Sequence, residues 1–490
     1  MTYKKAAKVI YRSGEDEAVR LICLISKRLR LSKKEISELK RKIQVLEGRL
    51  SKNSRNSHKP PSLDGLNKPK PKSLRKKTER KTGGQKGHKG HTLKMVKHPD
   101  NIKVYSVVQC KNCGCLLKDE PSQGIKNRQV FDIPPVQIEV TEHQAEIKKC
   151  PLCNHRNNAE FPKEVKAPVQ YGSQLNSIIT YLKIYQLLPY KRTCELLYDL
   201  FNVNLSQGTI ATITKSCSDI IQKPLERIMD CLIKSDVNHF DETGCRVKGA
   251  LHWMHVASNP KFTYIGVHQK RGKEAIDDIG ILPRFKGRAI HDAFKPYFRY
   301  DGLHGLCNAH HLRELTYIHE QEGHQWAKQM KDCLMDIKRA VEQASQTSNQ
   351  LPQHEAHAFE TLYQLILEAG CYKNPPPESN SKGKNTRGRS KKTKARNLLE
   401  RLLLRKEETL AFMHDFNVPF DNNQAERDFR MVKVQQKISG TFRSEKGAEN
   451  FCRIRSYIST AKKNSVNPIG VLSDAIADKP FMPILYRVPE

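Results

Sequence analysis

Three carboxylates and two pairs of thiols stand out in this 490-residue chain, because their types and spacing could do chemistry. Asp241 follows the alternating run Val237-Asn238-His239-Phe240 and opens Asp241-Glu242-Thr243. Asp292 ends a second short run, Gly287-Arg288-Ala289-Ile290-His291. Glu426 lies in Asn422-Asn423-x-x-Glu426-Arg427, which reads as the opening of a helix with Arg430 one turn further on. Two strand-end aspartates and a helix-borne glutamate are hard oxygen ligands of the kind Mg2+ or Mn2+ takes. Two such ions would clamp the attacking and leaving oxygens of an in-line phosphoryl displacement. The chain carries 52 acidic residues, so many triplets can be picked. On spacing alone, strand-end caps and a helix-start charge remain the alternative. Glu242 falls on the opposite face of the strand from Asp241 and is expected to matter far less.

The thiol pairs are Cys110-x-x-Cys113 and Cys150-x-x-Cys153. Each CxxC turn can offer two thiolates to one tetrahedral Zn2+, at about 2.3 Å per sulfur. The pairs are further apart than in the commonest zinc ribbons, a distance that hairpins can absorb. Cys115 and His155 are spare donors. Alternating stretches at 103–108 and 137–147 predict strands beside the turns. Neither turn follows a strand in a βαβ pattern, which argues against redox use. A segment with so little core needs the metal to fold. Cys307-x-x-His310 is a further, weaker pair of donors. No secretion signal accompanies the 14 cysteines, since the apolar run 21–25 is too short, so reduced thiols in a cytoplasmic protein are expected.

Bringing the carboxylates together requires a sheet. Strand patterns at 237–240, 251–256 and 262–267 predict a meander, 273–282 a helix and 287–290 another strand. Upstream, Leu196, Leu197, Leu200 and Phe201 suit one helix, and Ser206 caps a second carrying Ile210 and Ile213. Helix, turn, helix is the shape of a DNA-reading pair, and an ordinary helical hairpin fits as well. Near the N-terminus Ile22, Ile25, Leu29, Ile36, Leu39, Ile43, Leu46 and Leu50 recur at three- and four-residue steps, broken by Ser32. That is either the seam of a coiled-coil dimer or an amphipathic helix packed on its own domain. In a parallel dimer Glu35–Lys40 and Lys42–Glu47 attract across the seam, while Arg28 and Lys33 repel.

Charge points to the partner. The net charge is +34, which favours a polyanion, and no run of eighteen apolar residues supports a membrane. Residues 51–98 hold 15 basic and two acidic side chains with almost no apolar bulk, so they read as a flexible arm. Such an arm is a linker or a tracker of DNA phosphates. Between Lys382 and Arg396 lie eight basic residues and no acid, predicting a disordered loop over 375–397. The expected α/β multidomain organisation is a coiled-coil helix at 1–50, a basic arm at 51–100 and a zinc ribbon at 101–165. A helix-turn-helix-like region at 166–235, a catalytic domain at 236–460 and a C-terminal segment at 461–490 follow.

Taken together these segments resemble the insertion-sequence-66 family of bacterial DDE transposases. The likeness starts in 50–62, which ends Lys59-Pro60-Pro61-Ser62, and continues through Gly83-Gly84-Gln85-Lys86-Gly87-His88 and the double CxxC. Asp241-Glu242-Thr243, His291-Asp292 and Cys307-Asn308-Ala309-His310-His311 match in order, as do Asn422-Asn423-x-Ala425-Glu426-Arg427 and 456–467. The content of the zinc loop and of the segment between Asp292 and Glu426 departs from the family. The resemblance implies an RNase H-like catalytic domain with a mainly helical insertion at about 305–415. It assigns Asp241, Asp292 and Glu426 as catalytic ligands of Mg2+ or Mn2+, and puts His310 and Arg313 near the active face. It implies cleavage at mobile-element ends and strand transfer into target DNA. Double-stranded DNA, a homo-oligomer formed through the coiled coil and accessory transposition proteins are the implied partners, at the bacterial nucleoid and away from membranes. The rival classes are a non-catalytic zinc-containing DNA-binding regulator and an RNase H-like nuclease without strand transfer.

Overall fold

The computed structural model describes residues 8–9, 11–12, 14–57, 64, 93–134, 136–377 and 392–484. Most of the basic arm, with its Lys-Pro-Pro-Ser and glycine-rich motifs, and residues 378–391 of the basic loop lie outside the described residues. The chain divides into two units, Met1–Lys72 with Lys166–Thr193 and Ser206–Glu490, and Ser73–Val165 with Cys194–Leu205.

The heptad segment is one unbroken helix, α1 (Glu15–Leu50), with Glu15, Asp16 and Glu17 in its first turn and Arg49 in its last, matching the helix dipole. Its seam residues are each more than half exposed. The end of α1 is tied down where the Tyr317 hydroxyl donates to the Gly48 carbonyl at 3.0 Å. A Cβ at position 48 would stand 2.6 Å from that hydroxyl, so glycine is required there. Arg55 pairs with Glu320 just beyond.

In the smaller unit, strands β1 (Ile147–Lys149) and β2 (Arg156–Asn158) pair antiparallel around the second CxxC. The strand predicted at 103–108 does not form, and that at 137–147 shrinks to its last residue. Among the described residues nothing covers the alternating apolar side chains: Tyr105 and Val140 are 88% and 86% exposed. Without burial on one face, alternation has no energetic consequence.

Helices α2 (Ser173–Thr180), α3 (Tyr190–Phe201), α4 (Gln207–Ile220) and α5 (Gln222–Ile233) precede the sheet. Ser206 caps α4 by accepting from the Thr209 amide, as its sequence position predicts. The meander follows as β3 (Val237–Val247), β4 (Ala250–Ser258) and β5 (Thr263–His268), then α6 (Lys273–Ile279), β6 (Arg288–His291) and β7 (Leu303–Leu306). Strand order is β5-β4-β3-β6-β7, with the first three antiparallel and β6 and β7 parallel to β3. Gly287 makes the β3–β6 approach possible, because a Cβ there would sit 2.3 Å from the Asp236 carbonyl oxygen.

After β7 come five helices, α7 (Asn308–Glu322), α8 (Gln325–Ala344), α9 (Gln353–Lys373), α10 (Lys394–Leu404) and α11 (Lys406–His414). They build their own apolar core around Trp326, Tyr363 and Leu398. The loop expected to run to Asn397 ends sooner. Thr393 caps α10 by accepting from Arg396, and Ala395 is fully buried.

The chain then returns to the sheet with α12 (Asn423–Ser439), α13 (Glu445–Lys463) and α14 (Pro468–Ile476). The outer edge of β5 is covered rather than left open. Ser456 and Thr460 of α13 accept from the Ile265 and Thr263 amides at 2.8 and 3.0 Å, which removes an edge that could pair with another chain. Among the described residues no helix is long and apolar enough to cross a membrane.

Candidate active site

Parallel pairing puts the first two carboxylates near each other. Val237, Asn238 and His239 pair with Arg288, Ala289 and Ile290. That register ends two residues short of Asp241 and Asp292, and Asp292 lies near enough for its charge to act on Asp241. Immediately after Asp292 the chain reverses at Ala293, whose φ of 68° is costly for a residue with a Cβ. The reversal lets the Phe294 amide donate to Asp292 Oδ1 at 3.0 Å, and the Ala293 amide to His291 Nδ1 at 3.2 Å. Glu426 enters from the first turn of α12 and has Arg313 of α7 3.7 Å away.

Burial, and then the charges of Glu242, Asp292 and Glu426, hold the Asp241 carboxyl well above the usual aspartate range. The Glu242 amide, donating to Asp241 Oδ1 at 2.8 Å, opposes that rise. A buried carboxyl that feels the charges of other carboxylates is a donor suited to a hard divalent cation, whose charge would relieve the repulsion.

A knot of hydrogen bonds behind the carboxylates joins the elements that carry them. Asn422, at the start of α12 and fully buried, donates from Nδ2 to the Phe240 carbonyl at 2.8 Å. Its Oδ1 lies 2.8 Å from His239 Nδ1. With Nδ2 committed as donor, Oδ1 must accept, so His239 carries its proton on Nδ1. Burial depresses the pKa of that imidazole, in keeping with a neutral ring. The Asn422 amide donates to Cys307 Sγ at 3.1 Å, and the Cys307 amide to the His291 carbonyl at 2.9 Å. Phe240 and His291 immediately precede the two aspartates, and Asn422 lies one helical turn before Glu426. Cys307 is buried, and that burial pushes its thiol up to about 12.

Glu242 does lie on the other face of β3, yet it is not idle. Its side chain is 1% exposed and takes Arg271 Nε and Nη2 on Oε1 at 2.8 and 2.6 Å. Tyr297 donates to Oε2 at 2.6 Å. Burial and the Asp292 charge raise the Glu242 pKa, and these three donors oppose the rise. Sequence reasoning named Asn422 only within the Glu426 motif and Cys307 only as a weak metal donor, and it missed Arg271 and Tyr297 as parts of this site. The doubled Asn422-Asn423 before a helix was the available signal, and Arg271 carried none.

Both CxxC turns are built alike. The amide of the first cysteine donates to the carbonyl five residues on, Cys110 to Cys115 and Cys150 to His155, each at 2.8 Å. The fourth residue beyond, Gly114 or Asn154, is left-handed and donates back to the first cysteine's carbonyl. Amides of Cys113 and Asn112 lower the Cys110 pKa, and those of Cys153 and Leu152 lower that of Cys150. Soft thiols so primed fit zinc. Among the described residues, however, no three His, Cys, Asp or Glu side chains come close enough to hold a metal. Neither the two turns nor the three carboxylates therefore converge as ligand sets in this structure.

Comparison with known families bears on both sites. The family model described as Transposase IS66 family matches residues 168–450. The model described as zinc-finger binding domain of transposase IS66 matches 109–154, which supports Zn2+ binding there. A family of unknown function, DUF6444, matches 11–94. Curated proteins give no match.

Proposed function

This chain belongs to the IS66 transposase family, and on that premise we propose that Asp241, Asp292 and Glu426 catalyse cleavage at the ends of a mobile element and transfer of the freed strand into target DNA. The observation that carries the reading is that buried Asp241 on β3 feels, besides Glu242, the charges of Asp292 after β6 and of Glu426 at the start of α12. Strand order β5-β4-β3-β6-β7, with β6 and β7 parallel to β3, supports an RNase H-like domain interrupted by the helical segment α7–α11.

Divalent ions, when bound, supply Lewis-acid activation of the attacking oxygen and charge neutralisation at phosphorus. Asp241 and Asp292 would hold them from the β3 strand and the turn after β6, and Glu426 would complete the set from the helix. In the first step water forms a bond to phosphorus, the P–O3′ bond breaks, and the 3′-oxygen leaves as a hydroxyl. In the second, that 3′-hydroxyl attacks a target phosphodiester and displaces the target's own 3′-oxygen. No covalent enzyme intermediate is needed, so no serine or tyrosine nucleophile is assigned. Cys110, Cys113, Cys150 and Cys153 would hold structural Zn2+. The exposed seam of α1 takes a second copy of the chain, and the basic arm follows DNA phosphates.

The test is joining of an end duplex to a second duplex with Mg2+ or Mn2+. Joined product that depends on all three carboxylates is expected. Cleavage without joining would reduce the protein to a nuclease, and binding without cleavage to a regulator.

A further inference from the structure

Arg271 is held far more firmly than an exposed cation needs. Its Nε and Nη2 are committed to one oxygen of Glu242, itself fixed by Tyr297. Its guanidinium lies over the rings of Phe294 and Trp253, 4.1 and 4.8 Å from their centroids. The carboxylate of this pair is buried, but the arginine side chain is 40% exposed. Its Nη1 makes no hydrogen bond among the described residues. Phe294, under the guanidinium, is the residue whose amide caps Asp292.

A buried Arg–Glu pair is no more stabilising than well-packed apolar residues, so stability alone does not account for it. What the pair supplies is orientation. With one edge of the planar fork tied to Glu242 and its faces packed on aromatic rings, Nη1 is the end left over on a half-exposed side chain, above the ring of the residue that caps Asp292. An Nη1 held in this way can donate to a phosphate oxygen and loses little freedom on binding it. The neighbouring carboxylates would repel DNA, and a cation at this place offsets that repulsion.

We infer that Arg271 is a preformed clamp for a DNA backbone phosphate flanking the one at the carboxylates, with Glu242 and Tyr297 as the residues that position it. The inference rests on the proposed placement of the scissile phosphate at Asp241, Asp292 and Glu426.

Binding of the full chain to a duplex from its element's end, without added Mg2+ or Mn2+, tests it apart from chemistry. Arg271→Gln should weaken binding about tenfold and lower the salt slope by about 0.9. The double variant Glu242→Gln/Arg271→Gln leaves no lone buried charge, and should match that loss while unfolding near the wild-type temperature. A single neutral methylphosphonate at one position should weaken the wild type by the same factor and leave the double variant unaffected. Wild-type affinity in the double variant, or equal losses in both proteins at every neutral linkage, would overturn the clamp. Because no bond is cut, failure of the carboxylate reading would show separately, as cleavage that survives Glu426→Gln.

Discussion

Asn422→Ala tests whether the knot behind the carboxylates sets their spacing. The substitution removes two buried side-chain hydrogen bonds, to the Phe240 carbonyl and to His239 Nδ1, both 2.8 Å long. Each leaves a buried partner unsatisfied, at about 1–3 kcal/mol. Two such losses sum to about 2–6 kcal/mol, or roughly 2–7 °C in Tm for a unit of this size. The amide bond to Cys307 survives because it uses the backbone, so the helix stays attached but loses its tie to β3. A displacement on the order of 1 Å between Glu426 and Asp241 then costs about 100-fold in rate. Calorimetry of the full chain reads the first number, and single-turnover cleavage well below both transitions reads the second. Asn422→Asp keeps the acceptor for His239 but turns a carboxylate oxygen toward the Phe240 carbonyl, and should cleave no better. An alanine variant with unchanged Tm and cleavage within twofold of wild type would refute the reasoning.

Asp241→Asn, Asp292→Asn and Glu426→Gln should each lower cleavage by about 10³ or more while DNA binding persists, as read by gel shift alongside single-turnover rates. Because the folded pKa of Asp241 is raised, wild-type stability is lost as pH rises through that value. Without divalent cation, Asp241→Asn should therefore melt above wild type at neutral pH. Burial raises the Glu242 pKa as well, and the partner left by Glu242→Gln is half-exposed Arg271, so urea unfolding at neutral pH should show no loss of stability. Elemental analysis should find one zinc per chain, absent in Cys113→Ser, and zinc-free protein with all four thiols titratable would exclude the site. Leu39→Lys on the exposed seam should convert a dimer to monomer in sedimentation, and an unchanged mass would leave α1 without that role.

Local signals were legible in the sequence because their causes are local. Alternation at 237–267 became β3, β4 and β5 because that stretch has a core to bury one face in. Ser206 announced a helix start because a cap needs only the next three residues. The same alternation at 103–108 produced no strand, since whether a face is buried depends on the rest of the chain. Composition and charge pointed to a polyanion without reference to any fold. Only tertiary structure could lay β6 parallel to β3 and so put Asp292 near Asp241. Only it could bring Asn422 to the backbone of a strand more than 180 positions earlier, or fasten Arg271 to Glu242. Bonds of that kind depend on how elements distant in sequence pack, and no short-range spacing encodes the distance between them.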